Sequence, residues 1–445
     1  MRVTADVLIL GAGAAGLAAA RVLAASGRRV AVIEARRRIG GRIFTRHAAS
    51  PFGGTIPVEL GAEFIHGLPL ESWRVIREAA LQTYELDGSD LLFADGRLQP
   101  AHTEHGAATV LDDMSRWWSQ QPYGSDETFA QYLGHAAVGE RQRREAIRYV
   151  EGFNAADHRV ISVASLAAQQ EAEARIAADR IFHVRAGYDA IPRFLQGRIE
   201  AAGGTLYLDK PVTRIEWHAG AVTMSGIDSS GGDFQFVADK AVITLPLGVL
   251  HAGSVRFAPD PLHVIAEARR MEMGRVVRIS LIFQSRFWRD KPTLEKSPTL
   301  ARELDQLSFL FSDHGIPTTW WTSNPLETPI LTGWIAGPLA ALSGQEPVLD
   351  RCLNSLAGIF AVPVAALSDQ LVSWHCHDWS TDPFARGAYS YVPCGALSAS
   401  ANIAEPVERT LYFAGEHTSV SGHWGTVHGA LQSGEAAAAK VAMAP

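Results

Sequence analysis

The stretch from Val7 to Arg42, VLILGAGAAGLAAARVLAASGRRVAVIEARRRIGGR, admits few folds. Asp6 to Leu10 is a short apolar run suited to a buried parallel strand. Gly11, Gly13 and Gly16 follow at GxGxxG spacing. The first permits a tight turn, the second lets backbone approach a pyrophosphate, and the third lets a helix pack closely against the sheet. Ala14 to Ser26 reads as an alanine-rich helix whose free N–H groups and positive dipole end face that phosphate position. Gly27 ends the helix, and Arg29 to Ile33 is a second buried strand. Glu34 falls at its carboxyl end, where a carboxylate can accept hydrogen bonds from the two hydroxyls of an adenosine ribose. Glycines at this spacing also occur by chance in loops. Strand, helix, second strand and terminal acid in register make the stretch a dinucleotide-binding unit.

Two other readings of the stretch fail. Val7 to Ala20 is almost all apolar, but it is shorter than the roughly 20 residues a membrane span needs, holds three glycines and is closed by Arg21. Arg36, Arg37 and Arg38 suggest a nucleotide with a 2′-phosphate, which Glu34 would repel.

At 445 residues the chain is too long for one ordinary core, so two domains are expected. A formal charge of −7 with no long basic run gives no footing for nucleic acid and mildly favours cationic small molecules. Cys352, Cys376 and Cys394 form neither a metal-like spacing nor a disulfide framework, so no metal is expected and a reducing cytoplasm is the default. A strand starting so near Met1 leaves no room for a signal peptide, and no terminal membrane anchor is expected.

Along the chain, Val58 to Leu60 is a short strand and Glu71 to Ala80 a helix. Between Leu81 and Arg198 the pattern gives helical pieces with polar breaks, at Leu111 to Gln121, Arg141 to Phe153 and Ser165 to Arg180. Trp117, Trp118, Tyr149 and Phe153 most simply pack core or interhelix surfaces, although any of them can line a tunnel. Arg141, Arg143, Arg144 and Arg148 read as a solvated helix face. A helix follows to about Ala202, then Thr205 to Leu208, Val212 to Trp217, Ala221 to Ser225 and Phe234 to Val237 as strands of a β-meander. Lys240 to Leu245 returns to the first sheet, ending at Thr244 beside the nucleotide. A helix from Pro261 to Met271 precedes a second sheet at Val276 to Phe283, Ile330 to Ile335 and Leu371 to His375. The expected division is 1–75, 199–255 and 376–445 for a discontinuous nucleotide domain, with 76–198 and 256–375 for a substrate domain.

Three stretches carry a family resemblance. Glu34 with Arg38-Ile39-Gly40-Gly41-Arg42 resembles the E-x-x-x-R-x-GGR signature of the glutathione-reductase-type flavoproteins, specifically the flavin amine oxidase superfamily. Leu60 to Gly67, LGAEFIHG, resembles the L-G-A-x-x-x-H-G element of polyamine oxidases. Trp379 to Tyr389 resembles the W-x-x-D-P-x-x-x-G-x-Y run of polyamine oxidases and lysine-specific histone demethylases. The resemblance implies an α/β fold, a glutathione-reductase-type FAD-binding Rossmann domain with an interleaved α+β substrate domain. It implies FAD held by Gly11, Gly13, Ala15, Gly16, Glu34, Ala35, Arg36, Gly41, Arg42, Gly61, Ala62, Glu63, Phe64, Val212, Thr244, Trp379, Tyr389, Gly415, Glu416, Gly425, Thr426 and Val427. Val212 would contact the adenine through its backbone, Glu416 the ribityl chain, and the helix start at Thr426 and Val427 the flavin N1–O2 edge. The implied chemistry is oxidation of an amine C–N bond by hydride transfer to flavin, with molecular oxygen as acceptor. From the chain's charge and apolar pattern, no nucleic acid or membrane partner is expected. His66 would face the substrate cavity, or be a histidine merely bonded in a loop. Tyr389 would be an aromatic-cage wall, or a core tyrosine.

The chain departs from the pattern in three places. The second cage tyrosine of monoamine oxidases is replaced by Thr426, as in demethylase-like members, which implies a cavity more open on that side. Ten residues before Trp288, where the family has a lysine at flavin N5, stands Arg278, which is larger, planar and never neutral. Arg278 therefore raises two alternatives: an amino-acid oxidase whose substrate carboxylate it binds (or a C–C desaturase on the same fold), and a flavin-binding protein with impaired turnover. The cysteine that holds flavin covalently in monoamine oxidases is replaced by Ala388, and Cys394 lies too far along to substitute. FAD is therefore expected to be non-covalent. Acid precipitation of the yellow protein should leave all flavin in the supernatant; flavin retained in the pellet would refute this.

Overall fold

The structure is a computed structural model describing residues 1–101, 106–122, 124–289, 298–345 and 347–443. Its organising layer is a five-stranded parallel sheet in the order Thr205–Tyr207, Val30–Ile33, Val7–Leu10, Lys240–Ile243, Leu411–Phe413. The inner strands are buried on both faces, which is why they read as unbroken apolar runs. Val7, Ile9, Val32 and Val242 pack against helices Ala14–Ala25, Ala190–Ala201 and Val427–Met443. Leu8, Leu10, Ala31, Ile33 and Ile243 pack the opposite way, onto the β-meander. The meander strands Val212–His218, Ala221–Ile227 and Asp233–Ala238 run antiparallel, flanked in parallel by Arg256–Ala258 and by Arg2–Thr4. Each aliphatic side chain buried in these two interfaces contributes about 1.5–3 kcal/mol.

A seven-stranded sheet forms a second layer system, in the order Leu371–Asp378, Val276–Phe283, Ile330–Ala336, Thr319–Trp321, Leu307–Ser312, Ser89–Ala94, Arg97–Pro100. Here the reading of Leu81 to Arg198 as helical pieces with polar breaks is corrected, since strands flank those helices. Ser89–Ala94 and Arg97–Pro100 are a hairpin whose turn residues Asp95 and Gly96 both have positive φ, +52° and +71°. A two-residue Asp-Gly turn matches the twist of the strands it joins. Ser89–Ala94 then pairs in parallel with Leu307–Ser312, so the segment is recruited into the sheet from far along the sequence. Thr83–Glu85 and Ile181–Val184 join Ile65–His66 in a further three-stranded sheet. Around them, helices Ala107–Trp118, Phe129–His135, Glu140–Phe153 and Val163–Arg175 bury Val110, Met114, Phe129, Tyr132 and Val150 in a separate core, against which Trp117 and Trp118 pack. No single helix among the described residues is long and apolar enough to cross a membrane.

The glycine turn shows why its spacing is strict. Gly11 sits at φ +106°, with the Thr244 hydroxyl beneath it, and a Cβ on Gly16 would lie 1.9 Å from the Gly11 carbonyl oxygen. Gly16→Ala should cost about 1–3 kcal/mol through overpacking and reduce flavin retention; a melting curve and visible absorbance unchanged from wild type would contradict this packing.

Candidate active site

All the expected site residues except Gly16, which lies beneath the turn, line one cavity of about 1290 Å³. That exceeds the roughly 300–1,000 Å³ of a site for a single small ligand. At one end are the two glycine turns. The helix Ala14–Ala25 starts at Gly13 without any side-chain cap, so its first N–H groups are left for a ligand. A Cβ at Gly41 would lie 3.2 Å from Gly13 Cα, so the second turn abuts the first. The Arg38 guanidinium donates to the Gly41 carbonyl at 2.9 Å and to those of Ile39 and Ile43 at 3.2 Å, fixing that turn from behind.

Glu34 is buried and oriented by two backbone donors, Ala12 N–H on one oxygen and Arg36 N–H on the other, each at 2.8 Å. Each oxygen keeps a lone pair for a ribose hydroxyl. Arg36 itself is paired with Asp382 and lies 5.2 Å from the Phe384 ring. The aspartate of the W-x-x-D-P run thus acts on the segment after Glu34, while also accepting from Phe384 N–H at 2.9 Å and facing His377 at 3.0 Å. Burial alone would push its carboxyl up, but His377, Arg36 and the Phe384 N–H hold it down at about 2. Trp379 Nε1–H donates to the Leu60 carbonyl at 2.9 Å, fastening the same run to LGAEFIHG. The Thr244 hydroxyl donates to the Leu10 carbonyl at 2.7 Å, supporting the glycine turn.

Glu416 joins three segments. One oxygen accepts from Arg42 at 2.8 Å; the other accepts from Ser390 Oγ at 2.6 Å, Ser390 N–H at 3.3 Å and Gly425 N–H at 2.9 Å. Burial would raise its pKa, yet Arg42, His417 and Ser390 together hold it below the usual carboxylate range. Arg42 also donates to the Ala388 carbonyl at 2.8 Å. Thr426 caps the last helix, its hydroxyl accepting from Gly429 N–H at 3.0 Å, and Val427 and His428 at the helix start stand on the cavity wall.

The far end of the cavity is aromatic. The Tyr389 hydroxyl donates to the Phe153 carbonyl at 2.5 Å, and Phe153 stacks on Tyr149 with centroids 5.2 Å apart. His66 meets Phe153 edge-on at 5.6 Å and Phe64 at 5.9 Å, and Phe64 lies 5.4 Å from Trp321. The reading of Tyr149 and Phe153 as packing residues is therefore corrected: both line the cavity. Helical periodicity identifies their helix but not which face meets a void. Arg141 and Arg148 also line the cavity, and Arg143 donates to the Leu133 carbonyl at 2.5 Å, so that helix face is not merely solvated. Trp321 and Trp334 escape a reading of the sequence, since their strands meet the cavity only through pairing across the second sheet. His66 is held neutral by burial, its pKa lowered to about 4, and His428 to about 3.

Arg278 is 2% exposed on the strand Val276–Phe283, where Arg278 faces the LGAEF segment and Ser280 the preceding Glu59. Its Nη1 donates to the Gly61 carbonyl at 2.9 Å and its Nη2 pairs with Glu63. Glu63 also accepts from Trp321 Nε1–H at 2.9 Å and lies 3.4 Å from His183 Nδ1. Burial would raise the Glu63 carboxyl, but Arg278 and His183 keep it below its ordinary value.

A bare helix start beside the glycine turns, an oriented carboxylate at the end of the second strand and a closed clamp around one long cavity decide the comparison with known proteins. Residues 14–442 match the family model described as flavin containing amine oxidoreductase. The chain belongs to that family.

Among relatives, Lysine-specific histone demethylase 1 homolog 2 of Oryza sativa subsp. japonica is 30% identical over 468 residues, covering 99% of this chain and 57% of that protein. The chain thus spans little more than half of that relative, and the Arabidopsis thaliana homolog 2 is spanned to a similar 58%. Polyamine oxidase 4 of Oryza sativa subsp. japonica is 27% identical over 97% of this chain and 88% of its own length. Among solved structures, a wild-type putrescine oxidase bound to putrescine superposes with TM-score 0.80 at 20% identity over 100% of both chains. Cyclohexylamine oxidase from Brevibacterium oxydans gives 0.79 at 24% over 98% of both. These likenesses match the expected α/β fold. The family is flavin-dependent, and the cradle fits FAD: a bare helix start for pyrophosphate, Glu34 for ribose, and glycine backbone where a Cβ would intrude.

Glu416→Ala should leave Arg42 without its buried partner. The expected loss is about 1–3 kcal/mol or more, with flavin stripped on gel filtration, whereas Glu416→Gln retains the hydrogen bonds to Ser390 and Gly425 in part. Equal flavin retention by the alanine variant and wild type would count against the clamp.

Proposed function

We propose that this chain oxidises the C–N bond of an aliphatic or polyamine-like amine. When bound, FAD supplies the acceptor for a hydride from the amine's α-carbon and passes the electrons to O2, so that the products are H2O2 and, after hydrolysis of the imine, an aldehyde and an amine. The observation that carries the reading is the continuity of the nucleotide cradle with an aromatic pocket whose buried cation, Arg278, is already neutralised by Glu63.

The pocket's own residues have three tasks. Phe64, Tyr149, Phe153, Trp321 and Tyr389 surround the substrate with rings, whose faces attract an amine and whose bulk excludes water. Neutral His66 and His428 offer ring nitrogens without adding positive charge, and a dry neutral wall favours the unprotonated, reactive amine. Asp112, Glu145, Glu173 and Asp179 also line the cavity; Glu145 is paired with Arg141 at 2.9 Å, so the exposed Asp112 and Asp179 are the carboxylates that suit a substrate carrying a second ammonium group. Glu173, pushed up by burial, accepts from Gln169 at 2.8 Å.

The amino-acid-oxidase alternative rested on Arg278, and both of its terminal nitrogens are already engaged. The impaired-turnover alternative is separated by assaying peroxide across an amine panel.

Anaerobic titration with amines should bleach the flavin. The reduction rate at low substrate should rise with pH as the amine itself deprotonates, without a step near the ordinary histidine pKa of about 6.5, because burial holds both histidines neutral well below that pH. Failure of every amine to bleach the flavin would defeat the reading; an acid limb in the ordinary histidine range that His66→Ala abolishes would defeat the role given to neutral histidine.

A further inference from the structure

The pairing of Arg278 bears on substrate choice, a consequence that rests on the amine-oxidation reading. Both partners stand on the cavity wall, Arg278 at 2% and Glu63 at 8% side-chain exposure. The guanidinium lies 5.1 Å from the Trp321 ring, and its Nε is buried with no hydrogen-bond partner among the described residues. A fixed, planar guanidinium beside an amine pocket is the usual receptor for a ligand carboxylate, which it binds through two parallel N–H donors. Here that seat is filled from within. Glu63 reaches Arg278 from the neighbouring segment, and one of its oxygens is shared between Arg278 and Trp321.

We propose that Glu63 is an internal counter-ion that occupies the place a substrate carboxylate would take at Arg278, and so bars α-amino acids from the amine site. An entering carboxylate would meet an ion pair with no net charge to offer and the buried Glu63 anion within it, a pairing of like charges that low-dielectric surroundings penalise heavily. Amines lacking a carboxylate escape that penalty. Removing the Glu63 carboxylate reverses the situation: an unpaired buried guanidinium is costly and recruits any small anion that can reach it. Because Glu63 lines the cavity, its truncation opens the seat to the substrate side.

The test uses flavin-loaded protein with acetate and benzoate as probes, read by perturbation of the flavin spectrum and by melting temperature. Glu63→Ala should bind both at least about tenfold more tightly than wild type, and Glu63→Gln, which removes charge but keeps bulk, should gain less. Adding Arg278→Met to Glu63→Ala should return affinity to the wild-type level. In parallel, wild type should be bleached at least about a hundredfold faster by an amine than by the α-carboxylated amino acid of the same side chain, and Glu63→Ala should narrow that ratio. Folded variants that gain no anion affinity, or a gain that survives loss of Arg278, would overturn the proposal. If neither Glu63 variant folds, a wild-type preference below about tenfold does so. Should no amine bleach the wild-type flavin, the oxidase reading fails while the anion measurements still decide the role of Glu63.

Discussion

The carboxylate of Glu416 is the contact on which the site depends. Its partners Arg42, Ser390 and Gly425 lie up to 374 positions from it in sequence, and each is placed by a different element. Arg42 follows the second glycine turn, Ser390 comes directly after the W-x-x-D-P run, and Gly425 precedes the last helix. A buried carboxylate with four donors is stable only if all of them arrive, so the group works as a lock for the tertiary arrangement. Asp382 repeats the device on a smaller scale, gripping Arg36 and His377. The cavity wall draws on both large sheets, and Asp382 ties them together, joining Arg36 beyond a strand of the first to His377 on a strand of the second.

The electrostatic character of the substrate end comes from burial more than from added charge. His66 and His428 lose their protons because the wall is dry, and the buried guanidinium of Arg278 is cancelled by Glu63. The result is an aromatic, nearly neutral pocket whose carboxylates Asp112 and Asp179 are exposed. On the proposed function, the latter would draw in a cationic amine and the former would favour its neutral form.

Much of this was legible in the sequence, for identifiable reasons. Parallel strands buried on both faces leave unbroken apolar runs, and a glycine at a contact of 1.9 Å leaves no substitute, so the inner strands and the glycine turn between them could be read directly. The second sheet was only partly legible. Val276–Phe283 stood out as an apolar run, but Ser89–Ala94 was absorbed into a helical region although the Asp95-Gly96 turn marked it. Pairings across the fold left less trace. Nothing in local pattern joins Glu63 to Arg278, 215 positions away, and a tyrosine on an amphipathic helix looks the same facing a core or a void. Arg278 stood out as a departure from the family; its partner, which changes its meaning, did not.

The clamp also orders events during synthesis. Arg42 leaves the ribosome hundreds of residues before Glu416, so a nascent chain displays the first glycine turns and their helix with the opposite wall still missing. Only when the strand Leu411–Phe413 adds to the edge of the parallel sheet can the carboxylate swing into place. Maturation of the binding groove is thereby postponed until Glu416 has been made, and the exposed half-groove is the surface that a folding helper would have to shield in the interval.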